Sequence, residues 1–381
     1  MDHVLNFDIA ETALSFRGYN ITNLGRTAEL LRVEAYRATV SEELTRYSEI
    51  CSEVVAAPVD LLSIVEQGVE PDLDRYAGAI ALVVGVEVAQ LRLLKEIHGV
   101  DYREAQLSFG YSLGEVVAIC CGGAFALEDL IRVPLAMAHD CAALAHDSTM
   151  AVLFSRGGAI AEDHVRRLCV EISSAGRGTI GMSAVLSPNT YLLIGQGDSV
   201  QRFSAALPDG LPASAHLRPN SYRWPPLHTP IVRQRHIPDR SSVLMETVAA
   251  GTFPLRPPVL SLVTNKKTYD EDTAREILRQ WADHPQRLWD AVCETLSADV
   301  KTILHIGPEP NVVPATFTRL AENVRQQTEG RSAKSYGRRA MTGLLKRPWL
   351  SSLLPARAAL LRAPFIRQIV LEDWLIEHAP K

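Results

Sequence analysis

Cysteine is scarce and unpatterned in this chain. Six residues among 381 (Cys51, Cys120, Cys121, Cys141, Cys169 and Cys293) include no C-x-x-C pair. Such spacing argues against a disulfide framework and offers no zinc site. Cys120 and Cys121 lie in an apolar run and read as small buried hydrophobes. No stretch supplies the roughly 18 to 20 uncharged apolar residues of a spanning helix. The start, Met1-Asp2-His3 with Asp8 and Glu11 close behind, has neither the basic residues nor the apolar block of a secretory signal,. The expected location is therefore cytoplasmic. No internal repeat is evident.

What is present is an ordinary globular composition, 47% hydrophobic and 22% charged, in a chain long enough for a large domain carrying a smaller one,. The net charge of -5 conceals an asymmetry. Residues 325–367 hold ten Lys or Arg against the single acid Glu329, a balance of +9, so the rest of the chain carries -14. A basic tail on an acidic body suits an anionic partner or surface.

Residues 22–98 read as helices, with apolar positions at helical spacing through Ala28–Val33 and Ala77–Leu94. A short buried strand at Leu107–Phe109 breaks at Gly110. Helices then follow over Leu113–Cys121 and Leu127–His146. The texture changes between about 148 and 212. There the order is strand (Thr149–Phe154), helix (Glu162–Ser174), strands (Ile180–Leu186 and Tyr191–Ile194), helix (Ser199–Leu207) and strand (Ser214–Leu217). This β-α-β-β-α-β order predicts a small ferredoxin-like subdomain inserted into a larger one. A strand at Val259–Val263, helices at Asp272–Trp281 and Pro285–Leu296, and a strand at Lys301–Ile306 return to an α/β pattern. The expected fold is a large α/β subdomain (1–147 and 213–325) and the ferredoxin-like insert (148–212). A basic helical extension (326–381) completes it.

Gly110-Tyr111-Ser112-Leu113-Gly114 matches G-x-S-x-G, with a strand leading in and a helix leading out. That context puts a serine hydroxyl on a sharp turn. It also sets the Leu113 N–H at a helix N-terminus, where unpaired donors favour an oxyanion. The pattern alone leaves two readings, a nucleophile or a serine that caps the helix. A nucleophilic serine needs a base. Of the downstream histidines, His228 stands in an apolar, proline-stiffened loop (Trp224-Pro225-Pro226-Leu227 before it, Thr229-Pro230 after) that could hold a base, although by itself such a loop more often carries an ordinary packed histidine. Ala-His-Asp recurs at 138–140 and 145–147, but no third ligand has matching spacing, so no metal site is expected.

Gly110–Glu115 resembles the G-H-S-x-G-E motif of malonyl-CoA:acyl carrier protein transacylases and polyketide acyltransferase domains. Three further segments follow suit in order. Phe16-Arg17-Gly18-Tyr19-Asn20 with Gly25 is similar to the family's F-P-G-Q-G segment. Pro226–Pro230 resembles its catalytic-histidine loop. Pro258–Thr264, Arg279-Gln280, Pro285, Trp289 and Ile306-Gly307-Pro308 resemble its C-terminal run. The resemblance spans about residues 13 to 325 and implies an α/β-hydrolase-like large subdomain. It implies Ser112 as nucleophile, His228 as base, and backbone N–H groups of Leu113 and Tyr19 as the oxyanion hole. The Gln280 carbonyl would orient His228. The implied reaction is ping-pong, from a coenzyme A thioester to Ser112 and then to the phosphopantetheine thiol of an acyl carrier protein, with no bound cofactor.

Two departures bear on the acyl group. In the malonyl enzymes an arginine downstream of the serine pairs with the free carboxylate, and ungapped counting puts Met137 there. A buried carboxylate without a cation is costly, and a thioether does not replace a guanidinium fork. Tyr111 and Pro225-Pro226-Leu227 also depart from the malonyl pattern. Tyr111, Met137 and Leu227 are thus expected to form an acyl pocket for an uncharged chain, unless Arg132 or Arg17 supplies the charge. Rivals are an editing thioesterase on the same fold, an α/β-hydrolase triad using Asp209 or Asp239 with His305, a patatin-like Ser-Asp dyad through Asp209, and a non-catalytic carrier-docking module. The basic tail would bind an acidic carrier protein, lie on anionic lipid, or pack on the body. No nucleic-acid partner is expected.

Overall fold

The computed structural model describes residues 7–207, 211–328 and 358–380. In chain order the elements are β1 (Thr12–Phe16), α1 (Thr27–Arg32), α2 (Glu34–Val55), α3 (Leu61–Gln67), α4 (Tyr76–Glu96), β2 (Leu107–Gly110), α5 (Leu113–Cys121), α6 (Leu127–Leu130) and α7 (Arg132–Ala145). The middle of the chain forms β3 (Ser148–Ser155), α8 (Glu162–Ser174), β4 (Ile180–Ser187), β5 (Thr190–Gln196), α9 (Ser199–Ala206) and β6 (Ala215–Pro219). After it come α10 (Ile237–Met245), α11 (Ala274–Trp281), α12 (Leu288–Ser297), β7 (Thr302–Ile306), α13 (Val312–Thr328), β8 (Arg367–Val370) and α14 (Leu371–Glu377).

The first sheet is wholly parallel in the order β2-β1-β7-β8. Its inner strands are buried throughout, because helices cover both faces,. β1 was not foreseen as a strand, although its Thr-Ala-Leu-Ser-Phe run is the sheet's centre. The second sheet is antiparallel in the order β4-β5-β3-β6, with α8 and α9 in its β-α-β-β-α-β sequence, which is the ferredoxin-like arrangement.

Two expectations need correction. Val259–Val263 is not a strand. It touches β2 through a single bridge, with Ser108 N–H donating to the Pro258 carbonyl and Leu260 N–H to the Ser108 carbonyl. As expected, no uncharged apolar run is long enough to span a membrane. The segment Leu73–Glu96 has the length and mean hydropathy for it (1.7 over an 18-residue window), but Glu87 and Arg92 interrupt it. Its window is 83% buried, packed against α2 and the elbow helix α5 as a core helix. Finally, the C-terminal extension is only partly helical, since β8 adds a fourth strand to the main sheet beside β7. Most of the basic tail, 331–357, lies outside the described residues. Arg362, which is described, packs on the body: its guanidinium donates to the Val300 carbonyl at 2.9 Å and pairs with Asp299 at 2.8 Å.

Candidate active site

The elbow forms where β1, β2 and α5 meet backbone to backbone. A Cβ on Gly110 would lie 2.0 Å from the Gly114 carbonyl, and one on Gly114 would lie 2.5 Å from the Phe16 carbonyl oxygen. Only glycine fits at these two positions. The turn throws Ser112 into φ 56°, ψ -119°, a strained conformation for a residue with a side chain,. Two side chains hold that strained peptide. Ser112 N–H donates to Gln286 Oε1 at 3.0 Å, and Trp281 Nε1–H donates to the Ser112 carbonyl at 2.9 Å. Neither clamp was foreseen, because each pairs a distant side chain with a main-chain group.

The Ser112 side chain makes no capping bond to α5. Its Oγ lies 2.7 Å from His228 Nε2 instead. The other ring nitrogen, Nδ1, lies 2.7 Å from the Trp281 carbonyl oxygen. A carbonyl can only accept, so Nδ1 carries the hydrogen and Nε2 presents its lone pair to the serine hydroxyl. Burial lowers the His228 pKa to about 4, so the ring is neutral at pH 7. Its backbone is pinned too, with φ 64° and N–H donating to the Ala282 carbonyl at 2.7 Å. The orienting carbonyl belongs to Trp281, one residue beyond the expected Gln280. Trp281 ends α11, where a helix leaves its last carbonyls without intrahelical donors,. The Gln280 carbonyl instead accepts from the N–H groups of Asp283 and His284.

The Arg17–Asn20 loop lies against the elbow, since a Cβ on Gly18 would come 3.0 Å from Ser112 Cβ. Among the described residues, the N–H groups of Leu113 and Tyr19 have no acceptor. The loop is fixed by Arg17, fully buried, whose N–H meets Glu87 Oε1 at 2.9 Å. Its guanidinium donates to Gly18 and Pro308 carbonyls and to Asn23 Oδ1. Burial lowers the Arg17 pKa only to about 10, so it stays charged. From the other side, Glu372 of α14 accepts the Arg26 N–H at 3.0 Å and the Glu309 N–H at 2.8 Å.

Two cavities meet at Ser112. One runs among α4, α7, α10 and α11 and includes Met137, Leu227 and Trp281 in its lining. The other, the wider, is a cleft between the two sheets, lined by residues such as Tyr19, Trp224, Ser183 and Asn311. Ser112, Tyr76 and Leu227 border both. Tyr111 borders only the cleft, unlike Met137, because the sharp turn sends Tyr111 and Leu113 to opposite sides. Among the described residues, no Arg or Lys borders either cavity. Arg132 pairs with Glu53 at 2.8 Å, and Arg17 is spent on the loop. His305, the alternative triad histidine, sits buried on β7 with Nε2 3.3 Å from Gln368 Oε1, and Asp239 is exposed at the start of α10. Asp209 lies outside the described residues.

No family model matches the chain, and no curated protein does so. Solved structures do match in fold. FabD from Acinetobacter baumannii superposes with TM-score 0.64 at 20% identity, over 82% of this chain and 91% of that one. The malonyl-CoA:acyl carrier protein transacylase of Xanthomonas oryzae gives 0.66 at 22%, over 81% and 91%. A malonyl-transacylase solved in complex with its type II polyketide acyl-carrier protein gives 0.62 at 22%, over 80% and 91%. At these identities the likeness establishes a shared fold.

Proposed function

We propose that this chain is an acyl-CoA:acyl carrier protein acyltransferase working through an acyl-serine at Ser112. The observation that carries the reading is the aligned set Ser112 Oγ, His228 Nε2, His228 Nδ1 and the Trp281 carbonyl, built on a strained elbow. His228 Nε2 takes the hydroxyl proton as Oγ attacks the thioester carbonyl carbon. The Leu113 and Tyr19 N–H groups receive the oxyanion. Collapse breaks the C–S bond, and the departing coenzyme A thiolate takes the proton from His228. In the second half, a phosphopantetheine thiol gives its proton to Nε2, its sulfur attacks the acyl-serine, and Ser112 leaves reprotonated. No group in this cycle changes oxidation state. A main-chain carbonyl behind His228, in place of a carboxylate, fixes the tautomer without adding a buried charge.

The acyl group is uncharged. A carboxylate beside Met137, with no cation bordering the cavity among the described residues, would lose its hydration uncompensated,. The likeness to a transacylase solved with its carrier protein supports a carrier-protein acceptor, which would enter by the wider cleft.

The test is intact-protein mass after brief incubation with malonyl-, acetyl- and longer acyl-CoA donors, beside a Ser112→Ala control. An uncharged acyl adduct that is absent in the control and moves to added holo carrier protein is expected. A malonyl adduct alone would overturn the uncharged assignment. Free acid released without transfer would make the protein a thioesterase.

A further inference from the structure

The cavity beyond Ser112 has a direction. Arg275, at the start of α11, caps the end of α10 by donating to the Met245 and Val248 carbonyls and stacks over Phe125, 5.3 Å from the ring centroid. The two helices therefore run antiparallel, which sets Trp281, bonded to Ser112, at the Ile237 end. Met245 marks the far end of the lining, and Arg275 and Phe125 lie behind it without bordering the cavity. Along α10 the lining residues are Ile237, Ser241 and Met245. Along α7 they include Val133, Met137 and Cys141. Each row recurs at four-residue spacing and so lies on one helix face. Eight residues of helix, 237 to 245 or 133 to 141, span about 12 Å at ~1.5 Å per residue.

From this we infer that the cavity is a blind acyl-chain pocket for a linear, uncharged chain of about eight to ten carbons, given that a zigzag of ~1.5 Å single bonds advances roughly 1.25 Å per carbon. Ser241 sets its usable depth. This rests on the acyl-serine reading and adds to it the length of the chain and the residue that measures it. Ser241 stands midway along α10, 8% exposed, and its hydroxyl has no protein partner among the described residues. A small side chain there leaves the channel open, and any large one would divide it. α10 is held against α7 by the Arg240–Asp140 ion pair, so the two rows face each other across a fixed gap. The driving force is transfer of methylenes from water, worth roughly a fourfold gain in binding for each one. Affinity should therefore climb with chain length until the Met245 end is reached, then fall.

The experiment measures initial rates of acyl-serine formation by the full-length protein with malonyl-, acetyl-, butyryl-, octanoyl-, decanoyl- and palmitoyl-CoA, repeated with Ser241→Phe and Met245→Ala. Octanoyl or decanoyl should be fastest, by at least about tenfold over acetyl. S241F should move the optimum to butyryl, and M245A should move it toward palmitoyl. A move of the optimum, as opposed to a uniform loss, separates pocket geometry from misfolding. If S241F does not fold, M245A and calorimetric binding of octanoyl-CoA against free coenzyme A to the Ser112→Ala protein decide the matter. Equal rates for acetyl and octanoyl, or no change of optimum in either variant, overturn the pocket while leaving the acyl-serine intact. No Ser112 adduct from any donor, with octanoyl-CoA still bound more tightly than coenzyme A, overturns the catalytic reading and leaves the pocket.

Discussion

The two cavities that meet at Ser112 are built from different material. The pocket lies among helices, and its walls are mostly aliphatic, with Met137 at 4% exposure and Ser241 at 8%. The cleft lies between two sheets and mixes aromatic rings with Asn20, Ser183 and Asn311. A helical bundle can enclose a dry channel because each helix satisfies its own backbone. A gap between sheets leaves loops and polar side chains at its rim. On the proposed reading, the difference separates the two halves of a thioester. The acyl chain would lie in the apolar pocket, where nothing directional is needed. The thiol-bearing arm would lie in the wider, more polar cleft. Ser112, which borders both cavities, would be in reach of both halves.

The sharpest way to break this comparison is to remove its junction. His228→Ala should lower kcat for transfer by about 10⁴-fold or more while the fold persists, as seen when one member of a concerted catalytic set is removed. Single-turnover acylation with circular dichroism alongside checks it. Next, Met137→Arg should convert the dry pocket toward the malonyl type. Without ligand it should cost about 3 kcal/mol of stability, because it places an unpaired charge in a buried site. Malonyl-CoA should then raise the Tm of the variant more than that of the parent. On the cleft side, Trp224→Ala removes a ring packed edge-on to Tyr19 at 5.9 Å. It should raise KM for every donor by roughly tenfold and leave the chain-length order unchanged. A change in that order would merge the two cavities into one.

The smallest effect expected is on pH. Because burial lowers the His228 pKa from 6.5 to about 4, the neutral base persists down to that value. The acid limb of kcat/KM should fall near pH 4, not near 6.5, within the range where circular dichroism shows an intact fold. An acid limb at 6.5 would mean an open, hydrated His228.

The elbow and the ferredoxin-like insert were legible in the sequence because each is local. Gly110 and Gly114 are required by close backbone approach within a few residues, and β3–β5 are short apolar runs bounded by turns. β1, a fully buried strand with no alternation to show, was missed, whereas the equally buried β2 and β7 were read as strands,. β8 was missed because its pairing partner β7 lies more than sixty residues earlier, and tail composition read as basic helix. The same distance hid Gln286, Trp281 and Glu372, which act on backbone groups that have no side-chain signature. The resemblance placed the orienting carbonyl within one residue, and only the end of α11 distinguishes Trp281 from Gln280.

The central claim is that Ser112 holds an acyl group between a pocket that excludes water and a cleft that admits a thiol. It is tested most directly by isolating the octanoyl-enzyme and following its loss by mass, first alone and then with holo carrier protein. Slow loss alone, with rapid discharge onto the carrier thiol, is the predicted result. Equally rapid loss in both samples, with free octanoate as product, would contradict it.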